Sequence, residues 1–274
     1  MMNPIYKALL DGVKKYGSTE NDIVTSCMRG TTPESFYENV VVAPWWEPDG
    51  FGWKGDFLTG DDQASIKVWN IPFGNTGITF IKTGIGAPVH MDVILALGLT
   101  KCKRIVFVGS VGALDENIGI GDLMIPQVSI CGTGANRYLT DKGIADQHCF
   151  GDKCYPDSEL NALLFQKTEK ICNENAIRYH RATVFSIDTV FAQFAHIDEI
   201  LALGVDCIEM ETAAAFTAAK IACLPICALF SVSDNTMKNK SLISGRNQEE
   251  REYRHFVRRE IFPKIIREVF EIKD

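Results

Sequence analysis

The chain has 274 residues, 46% of them hydrophobic and 23% charged, with a mean hydropathy of +0.00. That length and balance fit one large globular domain, 1–274. A net charge of −7 and a pI near 5.3 argue against nucleic acid as a partner. No apolar run is long enough to cross a membrane, and the stretch from Met1 to Lys7 lacks the basic start and apolar core of a secretory signal.

Nine cysteines include no Cys-x-x-Cys pair, and Cys102, Cys172, Cys207, Cys223 and Cys227, in apolar or helical surroundings, read as reduced core thiols of a cytoplasmic protein. Five histidines show no ligand spacing, so no metal is expected.

Residues 3–16 place Ile5, Leu9, Leu10 and Val13 on one helical face, and Gly17 ends the pattern. Residues 18–38 are polar and show no clear period. Val40 to Ala43 reads as a strand, running into a loop that holds Trp45, Trp46 and Trp53. That loop is either packed or a surface-covering feature. Strands are predicted at 66–71 and 78–82 around a Gly-Asn-Thr-Gly turn, then a helix at 89–99. The apolar run Ile105 to Val108 suits a strand covered on both faces, ending in a loop at 109–113.

A strand is predicted at 123–130, an irregular segment at 131–156, a helix at 158–175 and a strand at 180–185. A short helix at 197–203, a strand at 205–208, a helix from Thr212 and a strand at 226–232 follow. After a polar loop at 235–246 comes a charged helix at 247–271, with Pro263 expected to kink or interrupt it. This alternation predicts an α/β fold: a single domain with a mixed, mostly parallel central sheet flanked by helices.

Two stretches carry candidate chemistry. Val205 to Ile208 leads into Glu209-Met210-Glu211, and Thr212-Ala213-Ala214-Ala215 opens a helix. The carboxylates therefore sit at a strand-to-helix junction, where ligands of open α/β sheets bind. A glutamate there is also favourable for the helix dipole alone. The second stretch delivers Ser233-Asp234 at the end of a buried-looking strand. Two glycine loops, 84–86 and 109–112, also follow strands and offer N–H groups to an anion. Gly84-Ile85-Gly86 lacks the third glycine of a dinucleotide site. Ser110 suits an oxyanion or a hydroxyl, or simply stabilises a tight turn.

In order, Gly84-Ile85-Gly86-x-Pro88, Gly109-Ser110-x-Gly112-Ala113, Gly119-x-Gly121-Asp122, Glu209-Met210-Glu211 and Ser233-Asp234 form one series. Over residues 77–270 it resembles the nucleoside phosphorylase family. Its members include trimeric and hexameric purine nucleoside phosphorylases, uridine phosphorylases and methylthioadenosine/adenosylhomocysteine nucleosidases. The resemblance implies cleavage of an N-glycosidic bond in a small-molecule nucleoside. It implies that Glu211 grips the ribose hydroxyls, with Met210 on the sugar and Glu209 and Ser233 beside them. Asp234 then protonates a purine leaving group, assisted by Arg246, which is about one residue out of register and also reads as a solvated loop arginine. Gly84, Gly109 and Ser110 become the phosphate site, and Val190 or Phe191 the base-stacking residue. No cofactor is implied beyond phosphate as co-substrate, and the assembly implied is a homo-oligomer, a dimer-based trimer or hexamer.

The chain also departs from the family. The loop Pro44-Trp45-Trp46-Glu47-Pro48 stands where phosphorylases carry an arginine, and Phe107 replaces a second one. Lys54 and Arg29 are the candidate substitutes. No histidine near the N-terminus matches the one that some members lend to a neighbour's sugar site. Three readings follow: a purine nucleoside phosphorylase with an atypical phosphate site, a hydrolytic nucleosidase that activates water near Glu47, and a non-catalytic nucleoside-binding relative.

Overall fold

Alternation along the central strands sets the layers. Ile105 and Phe107 face one core together with Val40 and Val42, while Val106 and Val108 face a second with Val41 and Ala43. The computed structural model describes residues 2–60, 63–140, 143–243 and 245–272. Residues 141 and 142, in the segment expected to be irregular, and Ser244, in the polar loop expected at 235–246, lie outside the described residues, as do Met1 and residues 273–274.

The chain opens with α1 (Pro4–Lys15), capped by Asn3, and α2 (Glu20–Cys27), started by a reciprocal capping box between Thr19 and Asp22. β1 (Asn39–Ala43) precedes the tryptophan loop, the short β2 (Asp56–Phe57), the hairpin β3 (Lys67–Phe73) and β4 (Thr76–Lys82), and α3 (Ala87–Leu97). Next are β5 (Arg104–Ala113), β6 (Leu123–Gly132), β7 (Lys153–Cys154), α4 (Ser158–Asn175) and β8 (Tyr179–Ile187). α5 (Ile197–Leu201), β9 (Cys207–Glu209), α6 (Thr212–Ala222) and β10 (Ile226–Asn235) lead to the C-terminal region. There α7 (Gln248–Phe256) passes through a π-helical turn, Val257–Ile261, into α8 (Phe262–Val269).

The sheet runs β10-β6-β8-β9-β5-β1-β4-β3-β2, and β10 also pairs with β5. Five strands therefore close on themselves, and the other described strands of that path extend outward from β5. The long pairings are parallel apart from the β3–β4 hairpin, so the expected mixed α/β sheet flanked by helices is what forms. One edge of β5 pairs with β10 from Ile105 to Ala113; the other pairs with β1 as far as Phe107 and with β9 from Gly112. Val108 to Val111 face the gap between those two partners. Such a divergence of neighbouring strands is where α/β sheets open a crevice.

Three expectations change. The glycine-rich segment 109–112 is not a loop but the second half of β5, in register with Phe230 to Asp234. β10 likewise runs on to Asn235, so Asp234 sits within a strand. Residues 18–38 contain α2, whose start signal is Thr19 with Asp22. Pro263 lies inside this continuous helical run, and the interruption expected of it takes the form of the π turn that ends two residues before it.

Arg104, at the start of β5, fastens this C-terminal region to the sheet. Its Nε donates to Asn39 Oδ1 at 2.8 Å, its Nη2 to the Phe270 carbonyl at 2.8 Å, and its guanidinium lies 5.3 Å from the Phe270 ring centre. Arg104→Ala should lower stability by about 1.5–3 kcal/mol, the range for a hydrogen-bonded charge. Urea denaturation checks this, and a change within experimental error would remove Arg104 from the account.

Candidate active site

β5, β10 and the β9–α6 junction converge on a cavity of about 220 Å³, lined by Ser110, Gly112, Met210, Glu211 and Asp234 among others. Roomier clefts lie elsewhere, of about 360 Å³ beside Arg137 and Lys220 and about 650 Å³ between Lys167 and Lys264. Neither gathers buried carboxylates, so chemistry and not volume selects the smaller cavity.

Glu209 ends β9 and is buried, with both carboxylate oxygens engaged. Oε1 accepts from Ser186 Oγ at 2.5 Å; Oε2 accepts from the N–H groups of Glu211 at 2.6 Å and Thr212 at 2.8 Å. It thus caps α6, whose own first residues offer no side-chain cap. Glu209 lines the cavity, yet the structure places its carboxylate on the protein's own groups. Glu211 is 4% exposed, and its Oε1 accepts from the Gly86 N–H at 2.6 Å. Burial pushes its pKa up to about 8, with repulsion from Glu209 adding and the Gly86 bond opposing. Gly86 has φ of +115°, a conformation that side-chain-bearing residues rarely adopt. The first glycine segment thus serves Glu211, and Gly84 does not line the cavity.

Asp234 reaches the cavity through a bulge. The β5–β10 register shifts between Val232 and Asp234, which turns the Asp234 carboxylate toward Gly112. A Cβ on Gly112 would lie 2.9 Å from Asp234 Oδ2, so only glycine leaves that carboxylate its place. Burial raises the Asp234 pKa, against the Ser233 hydrogen bond and the charges of Arg246 and Arg254. Ser233 Oγ donates to Asp234 Oδ1 and also reaches the Val111 carbonyl, at 3.1 Å. Arg246 Nη1 donates to the Ser233 carbonyl at 2.9 Å, which places it behind the acid rather than in open solvent.

Arg254 was not visible as a site residue in the sequence. It projects from α7, and its Nη2 donates to Ser110 Oγ at 3.2 Å, across 144 residues of chain. Ser110 lines the cavity while Gly109 lies under the Phe230 ring. Gln193 was also missed: it is 7% exposed, lines the cavity, and no hydrogen bond joins its amide to another described residue. Trp45, 56% exposed, lines the rim, whereas Trp46 and Trp53 pack with Phe51, Phe80 and Phe262. The packed reading of the loop therefore holds for Trp46 and Trp53, while Trp45 is exposed at the cavity.

Other candidates are placed elsewhere. Glu47 does not line the cavity; its carboxylate pairs with Lys82 at 2.6 Å and lies 3.9 Å from Lys67. Those lysines come from β3 and β4, which the sequence did not bring together with Glu47. Phe107 is 1% exposed, between His90 at 4.4 Å and Phe230 at 4.9 Å, so the place of the missing arginine is closed by core. Burial lowers the His90 pKa to about 3 and keeps that ring uncharged. Lys54 and Arg29 are exposed and do not line the cavity. Val190 lines it; Phe191 is 84% exposed and does not. Among the described residues no group of three or more His, Cys, Asp or Glu side chains is disposed to hold a metal ion.

The family model described as the phosphorylase superfamily matches residues 59–260, the span that carries every cavity-lining residue except Pro44 and Trp45. The chain belongs to the phosphorylase superfamily. Members of differing activity resemble it. A 5'-methylthioadenosine/S-adenosylhomocysteine nucleosidase of Glaesserella parasuis is 36% identical over 63 residues, 23% of this chain and 27% of that protein. A DeoD-type purine nucleoside phosphorylase of Streptococcus pyogenes is 26% identical over 186 residues, 64% of this chain and 73% of that protein. The crystal structure of uridine phosphorylase from Vibrio fischeri aligns with a TM-score of 0.68 at 19% identity, over 86% of this chain and 93% of that one. The likeness to that structure shows the shared fold. Members of this superfamily are glycosyl-cleaving enzymes that act on nucleosides.

Glu211 makes stability depend on pH. Between its ordinary 4.5 and about 8, the folded chain holds a proton that the unfolded chain has lost, so this group's contribution falls as pH rises. Glu211→Gln removes that dependence. Relative to wild type the variant should therefore gain stability between about pH 5 and about pH 8, as read by melting temperature. A constant difference across that range would contradict the buried-carboxylate account.

Proposed function

We propose that this superfamily member cleaves the N-glycosidic bond of a purine nucleoside by phosphorolysis. One observation carries the reading: Glu211 and Asp234, delivered from separate strands, line one cavity together with Ser110. Bond cleavage develops positive character on the sugar and negative charge on the departing base. Glu211, held by the Gly86 N–H, is suited to grip the ribose hydroxyls. Asp234, whose burial favours its protonated form, is suited to supply a proton to the leaving purine. Met210, Ile187, Val190 and Ile208 offer apolar walls for sugar and base, and the Gln193 amide offers both a donor and an acceptor to the base edge.

Phosphate is the nucleophile in this reading, and no cofactor is required. The hydrolytic alternative rested on Glu47, whose carboxylate is held by Lys82 outside the cavity. A non-catalytic role gains nothing from raising the pKa of a buried aspartate beside a sugar-sized cavity. The reading extends to a homo-oligomer in the cytoplasm. Trp45, Ile85 and Leu242 at the cavity and the neighbouring Ile243 present apolar surface that a second copy would cover.

Asp234→Asn should lower kcat on a purine nucleoside by ~10²–10⁴-fold, with a smaller effect on KM. Unchanged turnover would remove the acid role. Glu211→Gln should damage turnover of a riboside more than that of its 2'-deoxy analogue, which already lacks one hydroxyl contact. Equal losses on the two substrates would show that Glu211 does not hold the sugar.

A further inference from the structure

Arg254 is a cation in an unfavourable place. Its guanidinium is partly withdrawn from water, and its Nε is buried without a partner. No described carboxylate forms a salt bridge with it. The charges that act on it are Asp234, which attracts it, and Arg246 and Arg258, which repel it. Burial and those two like charges bring its pKa down to about 10. Arg246 Nε and Arg258 Nε are also buried without partners. A desolvated cation beside two others is costly unless an anion completes the group.

The position of Arg254 tells which anion. Nη2 lies on Ser110 Oγ, at the gap where β1 has left the edge of β5 and β9 has not yet joined it. The two places where family resemblance expected arginines hold Phe107, closed into the core, and the tryptophan loop. A guanidinium offers paired donors suited to two oxygens of a tetrahedral oxyanion, and the Ser110 hydroxyl adds a third donor.

We propose that Arg254, together with Ser110, holds the phosphate co-substrate, so that the cation of the nucleophile site comes from the C-terminal helix α7. The proposal rests on the phosphorolytic reading for its substrate, but the binding site itself does not depend on turnover. Arg254 and Arg246 flank the acid as well. Phosphate bound at Arg254 neutralises one of the two charges that oppose protonation of Asp234. The nucleophile and the acid are thereby coupled through one side chain.

The test is calorimetric titration of inorganic phosphate into the nucleoside-free protein at constant ionic strength, for wild type, Arg254→Gln and Arg254→Lys. Loss of a charge-assisted pair corresponds to about a tenfold or greater rise in Kd for Arg254→Gln, and Arg254→Lys should recover part of it. In turnover assays KM for phosphate should rise in parallel, while KM for nucleoside stays within about twofold. Circular dichroism confirms folding, and Arg254→Lys carries the test if the glutamine variant does not fold. Wild-type phosphate affinity in Arg254→Gln, or no phosphate binding by the wild type, overturns the proposal. Free ribose formed without phosphate would sink the phosphorolytic reading, and unaltered phosphate binding through Arg254 would then still stand as a property of the site.

Discussion

The buried carboxylate of Glu209 is the contact on which the site depends. A carboxylate withdrawn from water is tolerated only where hydrogen bonds replace its hydration. Here the replacements come from Ser186 on β8 and from the first N–H groups of α6. Ser186 Oγ also accepts from the Ala213 N–H at 2.9 Å, and meets Ser129 Oγ at 3.0 Å. One acidic side chain thus fixes β8, β9 and the helix start relative to each other. Glu211 is the residue whose N–H it binds, so the geometry of the cavity-lining Glu211 carboxylate follows from that of the structural one. The Gly86 N–H then fixes Glu211 from the other side.

β5 supplies the second constraint. It serves β10 along one edge and is shared between β1 and β9 on the other. The gap left by that sharing exposes Ser110, and the bulge in β10 sets Asp234 against Gly112, two residues further along β5. Asp234 and the Ser110 hydroxyl are therefore neighbours because two strands are neighbours. The C-terminal helices, tied back by Arg104, bring Arg254 to Ser110 from outside the sheet. Sheet closure and helix docking each contribute a part that the other does not hold.

Much of this was legible in the sequence. Continuous apolar runs marked the central strands, and the Ala-rich start after Glu211 marked α6. The Glu-Met-Glu and Ser-Asp stretches marked Glu209, Glu211 and Asp234, the three carboxylates that line the cavity. Strand ends were harder to read, because Gly109, Ser110 and Gly112 carry low strand propensity and yet pair with β10 along their length. Tertiary pairing overrode local preference there. Arg254 left no signal: one arginine in a charged helix looks like its neighbours until the helix is docked. Glu47 erred in the opposite sense, since its place in the chain suggested a site and two lysines from a distant hairpin claim its carboxylate. What sequence order lacked in both cases was the packing of segments far apart in the chain.

The central claim is that one cavity brings a sugar-gripping carboxylate and a base-protonating acid to the two ends of a purine nucleoside. A crystal structure with phosphate and an unreactive purine nucleoside analogue tests it most directly. The account predicts both ribose hydroxyls on Glu211, the purine N7 within hydrogen-bonding reach of Asp234, and phosphate on the opposite face of the sugar, on Ser110. A base directed away from Asp234, or a sugar whose hydroxyls do not meet Glu211, would contradict it.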